Sequence, residues 1–412
     1  MRRLQSIDVL RGLACLAILF FHIPRPDLTA RSWWHAVLFF PISFGHLGVP
    51  LFLLISGFCI HGGAARELAA GQHSSISWSE FWRRRFWRLY PPYLVTIGLS
   101  LIVVYLLVRL GQQPEWYRCT SLSWDLVTHL LMIHNLSADY RTGVGNSPLW
   151  SLGLEEQLYA LYALYLLLRK RLRPARVLLL ATCVLSMWWF LIPFIWTHRI
   201  GRLPLELGGW ETWPFGYWGF WVAGALAAEA HAGVIELPSW CYRRRAMWTC
   251  FAIGTLTNVK TLGRIINSHW GLATLPGIRH AVGDHSMLWL SNPAFFVAGF
   301  FILMNIWVDR EARGDFRFSG SKTLARIGVI SYSLYLTHLP VVRTLELLLS
   351  LPRTITGTLI RYLLYTPLCL LIALAFFWTI ERHFLRSRQK PDPHGRMREQ
   401  AHLASRRENR SL

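Results

Sequence analysis

Arg11 and His22 lie in the first apolar segment, which runs from Ile7 to His22. An arginine inside a membrane helix costs roughly 2.5–3.5 kcal/mol on insertion scales, so it faces a cavity, a partner or a substrate. Eleven residues at about 100° each fall within about 20° of three full turns, so both side chains share one helix face, about 16 Å apart. A basic anchor at one level and an imidazole at another suit a substrate threaded along the helix. The imidazole is then a candidate general base. The structural alternative is an Arg11–Asp8 pair at i,i+3 beside a buried, satisfied histidine.

A second constellation runs Leu149-Trp150-Ser151-Leu152-Gly153-Leu154-Glu155-Glu156-Gln157-Leu158-Tyr159. Ser151, Glu155 and Tyr159, four residues apart, share one helix face. A carboxylate beside an imidazole fixes its tautomer and stabilises its cation, so Glu155, with Glu156 as substitute, is expected within a few ångströms of His22. Acids near a helix start also complement its dipole, and that alone could account for them.

A third is Arg85-Phe86-Trp87-Arg88-Leu89-Tyr90-Pro91-Pro92-Tyr93. Arginine forks bind phosphates in bidentate fashion, which suits an anionic cofactor; arginines at the inner edge of a span have the same appearance. In Gly48-Val49-Pro50-Leu51-Phe52 and Ser56-Gly57-Phe58, small residues permit close helix packing. In Ser331-Tyr332-Ser333-Leu334-Tyr335-Leu336-Thr337-His338-Leu339-Pro340, Tyr332 and His338 either line a cavity or pack by hydrogen bonding, ahead of a kinking proline.

The elements that must position these groups are membrane helices. Of 412 residues, 53% are hydrophobic and 16% charged, with 21 Trp; globular chains carry about 25% charged residues. The net charge of +21 sits between apolar spans instead of on one soluble domain, which argues against nucleic acid. Seven cysteines show neither a disulfide framework nor metal-ligand spacing, and no metal is expected. The first apolar segment lacks a cleavage signal and reads as a retained helix.

The pattern predicts an all-α integral membrane protein, a bundle of ten transmembrane helices near 7–24, 44–60, 89–109, 149–168, 177–196, 214–230, 246–260, 286–308, 324–349 and 358–380. Lys and Arg concentrate in alternate connections and in the tail, so both termini are expected in the cytoplasm. Residues 1–384 form the membrane domain. Residues 385–412 are expected to be a disordered basic tail that, with the basic inner loops, attracts anionic lipid headgroups. The segment 110–148 reads as a lid or an interfacial connector, with a short helix at Trp124–His134. No internal repeat is evident.

In order, Arg11 with His22, Ser56-Gly57-Phe58, Arg85-x-x-Arg88-x-x-Pro91, Trp150-Ser151-Leu152 with Glu155, and Ser331 to Leu336 with His338 resemble the type-3 membrane acyltransferase family over about residues 4–384. Two departures stand out: Glu381-Arg382 is followed by His383 where a proline is expected, and the sequence shows no esterase-like segment of the kind some relatives carry, so acceptor transfer is expected to fall to the membrane domain. The resemblance implies a multi-pass protein of the bacterial inner membrane. It would move an acyl group, typically acetyl, from cytoplasmic acyl-CoA to a hydroxyl of a cell-envelope or exported carbohydrate.

On that reading His22, Glu155 and Glu156 are catalytic, Arg11, Arg85 and Arg88 hold the coenzyme, and Asp8, Ser151, Tyr159, Tyr332 and His338 line the cavity. Two alternatives stay open: a transporter or flippase of a lipid-linked glycan, which also uses intramembrane charge, and acyl transfer to a lipid or a small secreted molecule.

Overall fold

The computed structural model describes residues 3–24, 39, 41–72, 76–111, 121–137, 139–141, 143–198, 212–257 and 293–385, with residues 190–198 described for backbone alone. The tail from 386 onward, and the parts of the expected helices at 258–260 and 286–292, lie outside the described residues. Within them the chain is helical, without strands. Four stretches are long and apolar enough to cross a membrane: Gln5–His22, Gly45–Ala69, Trp78–Arg109 and Ile355–Leu385.

The first helix, α1 (Gln5–His22), has no side-chain cap of its own. The amides of Gln5 and Ser6 instead donate to the Glu311 carboxylate at 2.8 and 2.7 Å, satisfying donors that a helix start leaves unpaired. Glu311 ends α9 (Ala294–Ala312). The helices α2 (Gly48–Ala69) and α7 (Trp218–Ala232) cross in close contact. Gly57 meets the Trp221 carbonyl there and Gly224 meets that of Leu54, so the backbones approach as only glycine allows. Gly12 and Gly328 seat α1 on α10 (Ser321–Val329) in the same way.

The sequence places the third span at 89–109, but α3 runs Trp78–Arg109 and carries the arginine cluster on the helix itself. Pro91 and Pro92 lie inside it. In a membrane helix, neighbouring groups re-satisfy the backbone that proline frees. Downstream come α4 (Leu122–Leu130), α5 (Trp150–Arg171), α6 (Pro174–His198) and α8 (Arg244–Thr257).

The expected single helix at 324–349 is two. After α10 the chain breaks at Ile330 and restarts as α11 (Ser331–Leu349). The break is stabilised because Glu381 accepts from the Ser333 amide at 3.1 Å and its hydroxyl at 2.5 Å. Glu381 closes a π-helical turn after α12 (Ile355–Phe376). Within α11, Pro340 removes the donor that Leu336 O would use, and Asn146 Nδ2 replaces it at 2.9 Å.

Two large apolar clusters result, beside a small one around Met247, Ile302 and Ile306. One gathers Leu54, Phe58, Leu158, Tyr162 and Trp221; the other gathers Ile18, Leu19, Tyr93, Leu334 and Tyr365. Val49, Phe52 and Tyr332 pack against both, and an open cavity lies between them.

Candidate active site

The cavity spans about 800 Å³, part of it continuous with the exterior. Helix α1 contributes Arg11, α2 contributes Ser56 and Cys59, and α3 contributes Arg85 and Arg88, one turn apart on one face. Helix α5 presents Ser151, Glu155 and Tyr159, the shared face expected from their spacing, and the start of α11 adds Ser331, Tyr332 and Tyr335.

Arg11 and Arg85 are held in place. Arg11 lies 3.6 Å from Asp8 Oδ1 and donates to Cys59 Sγ at 3.4 Å. Asp8 itself accepts from Arg3 Nε at 2.5 Å, so it is shared between two arginines and stands outside the cavity lining. The Arg85 guanidinium lies 5.6 Å from the ring centres of both Phe81 and Tyr159, a cation–π arrangement. Glu155 Oε1 accepts from Ser56 Oγ at 2.8 Å and from Tyr159 OH at 2.5 Å. Three guanidiniums thus face one carboxylate, and the surplus positive charge suits a polyanion whose phosphates accept forked hydrogen bonds. At one edge Tyr335 OH donates to Pro148 O at 2.7 Å and lies 2.6 Å from Ser151 Oγ, while Tyr332 OH donates to Leu89 O at 2.7 Å.

His22 does not meet Glu155 or Glu156; neither carboxylate has it as a hydrogen-bond or ion-pair partner. Glu155 sits five residues, about 8 Å, into its helix and is drawn to the level of Arg11 by Ser56. His22 is about 16 Å further along α1. Its partner is His338, which also stands outside the cavity lining: His338 Nε2 lies 3.3 Å from His22 Nδ1. Glu156 is outside it too, since it neighbours Glu155 in sequence and therefore points about 100° away around the helix.

Two further polar clusters escape a reading by motif. At the α2–α5–α7 contact, Glu229 accepts from Arg169, Tyr165 and His61 Nε2, the last at 3.1 Å, and His61 Nδ1 lies 3.0 Å from Tyr162 OH. A carboxylate within the apolar α7 was its visible signal. In the 121–149 connection, His129 Nδ1 lies 3.1 Å from Asp125 Oδ1, and the rings of His129 and His134 stack at 3.9 Å. Burial, reinforced by the neighbouring His129, pushes His134 down to about 3. The expected helix at Trp124–His134 ends at Leu130, and His134 begins a separate 3₁₀ turn.

The acyltransferase-3 family model, described as an acyltransferase domain, matches residues 4–378. The chain belongs to the acyltransferase-3 family. Among similar members, O-acetyltransferase OatA of Staphylococcus aureus is 27% identical over 354 residues, covering 83% of this chain and 51% of that protein. Acyltransferase MdmB of Streptomyces mycarofaciens is 25% identical, covering 83% and 79%. Peptidoglycan O-acetyltransferase OatA of Listeria monocytogenes is 29% identical over 171 residues, covering 39% and 24%. This acyltransferase-3 chain therefore spans about half the length of the staphylococcal relative. No solved structure matches.

Proposed function

We propose that this acyltransferase-3 chain is a multi-pass O-acyltransferase of the bacterial cytoplasmic membrane, with ten spans and both termini inside. It moves an acyl group, acetyl in the simplest case, from cytoplasmic acyl-coenzyme A to a hydroxyl of an envelope or exported carbohydrate. The observation that carries this reading is the cavity lined by Arg85, Arg88, Glu155 and Arg11, the last on the helix that also bears His22. The name of the Listeria relative supports a cell-wall carbohydrate as acceptor.

On this reading the three arginines hold the coenzyme phosphates, and Glu155, anchored by Ser56 and Tyr159, sets the electrostatic balance of the donor site. The acceptor oxygen attacks the thioester carbonyl, His22 takes the hydroxyl proton, and the coenzyme thiolate leaves. A covalent variant routes the acyl group through the His22 ring before the acceptor attacks it.

The test reconstitutes the purified full chain in liposomes with labelled acetyl-coenzyme A inside and a glycan acceptor outside. Labelled glycan that depends on His22 is expected. Glycan crossing the bilayer without acquiring label would replace this reading with transport.

A further inference from the structure

The contact between His22 and His338 has a defined polarity. His338 Nδ1 lies 2.7 Å from Tyr335 O and 3.2 Å from Leu334 O. Carbonyl oxygens only accept, so Nδ1 carries the proton and Nε2 carries the lone pair. That lone pair faces His22 Nδ1 at 3.3 Å. His22 Nδ1 also lies 2.9 Å from Ile18 O, so it too must be the protonated nitrogen. Ile18 O and His338 Nε2 therefore both accept from this N–H, and in the neutral ring Nε2 of His22 carries the lone pair. The rings sit 5.0 Å apart and tilted by 54°, as a hydrogen bond between imidazoles requires and a face-to-face stack does not.

The fold holds His338 firmly. Its side chain is buried, its helix restarts under the Glu381 cap, and Asn146 fills the bond that Pro340 removes two residues further on.

We infer that His338 is a positioning residue for acyl transfer: together with Ile18 O it holds the Nδ1–H tautomer and ring orientation of His22, and it accepts a hydrogen bond from the imidazolium that forms when His22 Nε2 takes the acceptor's hydroxyl proton. The inference rests on His22 acting as the base in the proposed function. Positive charge that develops on His22 during transfer is met by a neutral lone pair fixed in place, the role that a carboxylate plays in other base–orienter pairs. No proton needs to reach His338, whose own Nδ1–H stays bonded to Tyr335 O.

The test compares His338→Gln, His338→Asn and His338→Leu in the full-length protein. Glutamine places an amide oxygen at the Nε2 position; asparagine is too short to reach His22, and leucine accepts nothing. With the acceptor lost, turnover should fall on the order of 10²-fold, within the usual range for general-base assistance. The KM for acetyl-coenzyme A should stay unchanged, and glutamine should restore most of the turnover. Should leucine disturb folding, seen as loss of coenzyme binding, asparagine decides alone. Near-wild-type turnover in asparagine or leucine overturns the inference. So does equal loss in all three variants with coenzyme binding intact. A His22→Ala variant at wild-type activity would instead remove the proposed function's base, a separate failure.

Discussion

The β-carbon that Gly57 lacks would fall on the carbonyl oxygen of Trp221. A main-chain oxygen in a packed helix cannot swing aside, so α2 and α7 would have to separate. Gly57→Ala is expected to destabilise by about 1–3 kcal/mol, the usual range for overpacking. Gly63, on the same helix, has open space at its β-carbon position, and Gly63→Ala should be neutral. Thermal unfolding of detergent-purified protein checks both, and a Gly57→Ala variant melting like wild type would contradict the close crossing.

Arg11→Ala and Arg88→Ala are each predicted to weaken acyl-coenzyme A binding by about 10–100-fold, the equivalent of one charged hydrogen bond. Lysine should rescue poorly, because an ammonium cannot reproduce the fork. Arg313, which is exposed and paired with Asp309 on the surface, is the control whose removal leaves affinity unchanged. Calorimetric titration with coenzyme A reads all five variants; equal affinities throughout would remove the phosphates from this cavity.

Glu155→Gln separates charge from hydrogen bonding. The amide oxygen can still accept from Ser56 and Tyr159, but the cavity then holds three cations and no anion. Coenzyme affinity should hold or rise while turnover drops, by about 10-fold or more. Weaker coenzyme binding in this variant would show that Glu155 does not act through the balance of charge.

Acidification should loosen the 121–149 connection. His134 titrates at about 3 in the folded protein, against about 6.5 in an opened chain. The opened form therefore binds the extra proton first, and closure weakens as pH falls below about 6.5, by up to about 1.4 kcal/mol per unit. Around His134 the titratable neighbours are His129, Asp125 and, from α3, Tyr93, whose hydroxyl donates to His129 O. Hydrogen exchange across this segment should quicken between pH 6.5 and 4 in wild type and less so in His134→Phe. Indistinguishable profiles would place the pH response elsewhere.

Sequence periodicity was enough to put Ser151, Glu155 and Tyr159 on one face and Arg85 beside Arg88, because those relations lie within one helix. The family was likewise legible in motifs that keep their order along the chain. The partner of Glu155 was not, since it depends on how deep α5 sits against α2, which no local pattern encodes. The arginine run before Leu89 carries the charge of a loop, yet tertiary contacts keep it helical from Trp78. The break at Ile330 was hidden because its cap, Glu381, arrives from 48 residues beyond Ser333.

The supports of α1 also dictate an order of biosynthesis. Glu311, which caps its start, follows Gln5 by 306 residues. The Leu324 carbonyl that Gly12 rests on, the Ser331 carbonyl that takes the Cys15 thiol and the ring that faces His22 are all translated later still. Helix α1 packs on α2 early, but its full set of contacts forms only once these later segments have been made. Asp8, one turn before Arg11 on the same helix, offsets the Arg11 charge by a pairing that needs none of those later segments. On the proposed reading, a chain halted before residue 311 holds Arg85 and Arg88 on α3 without the later supports of α1, and is expected to carry out no acyl transfer.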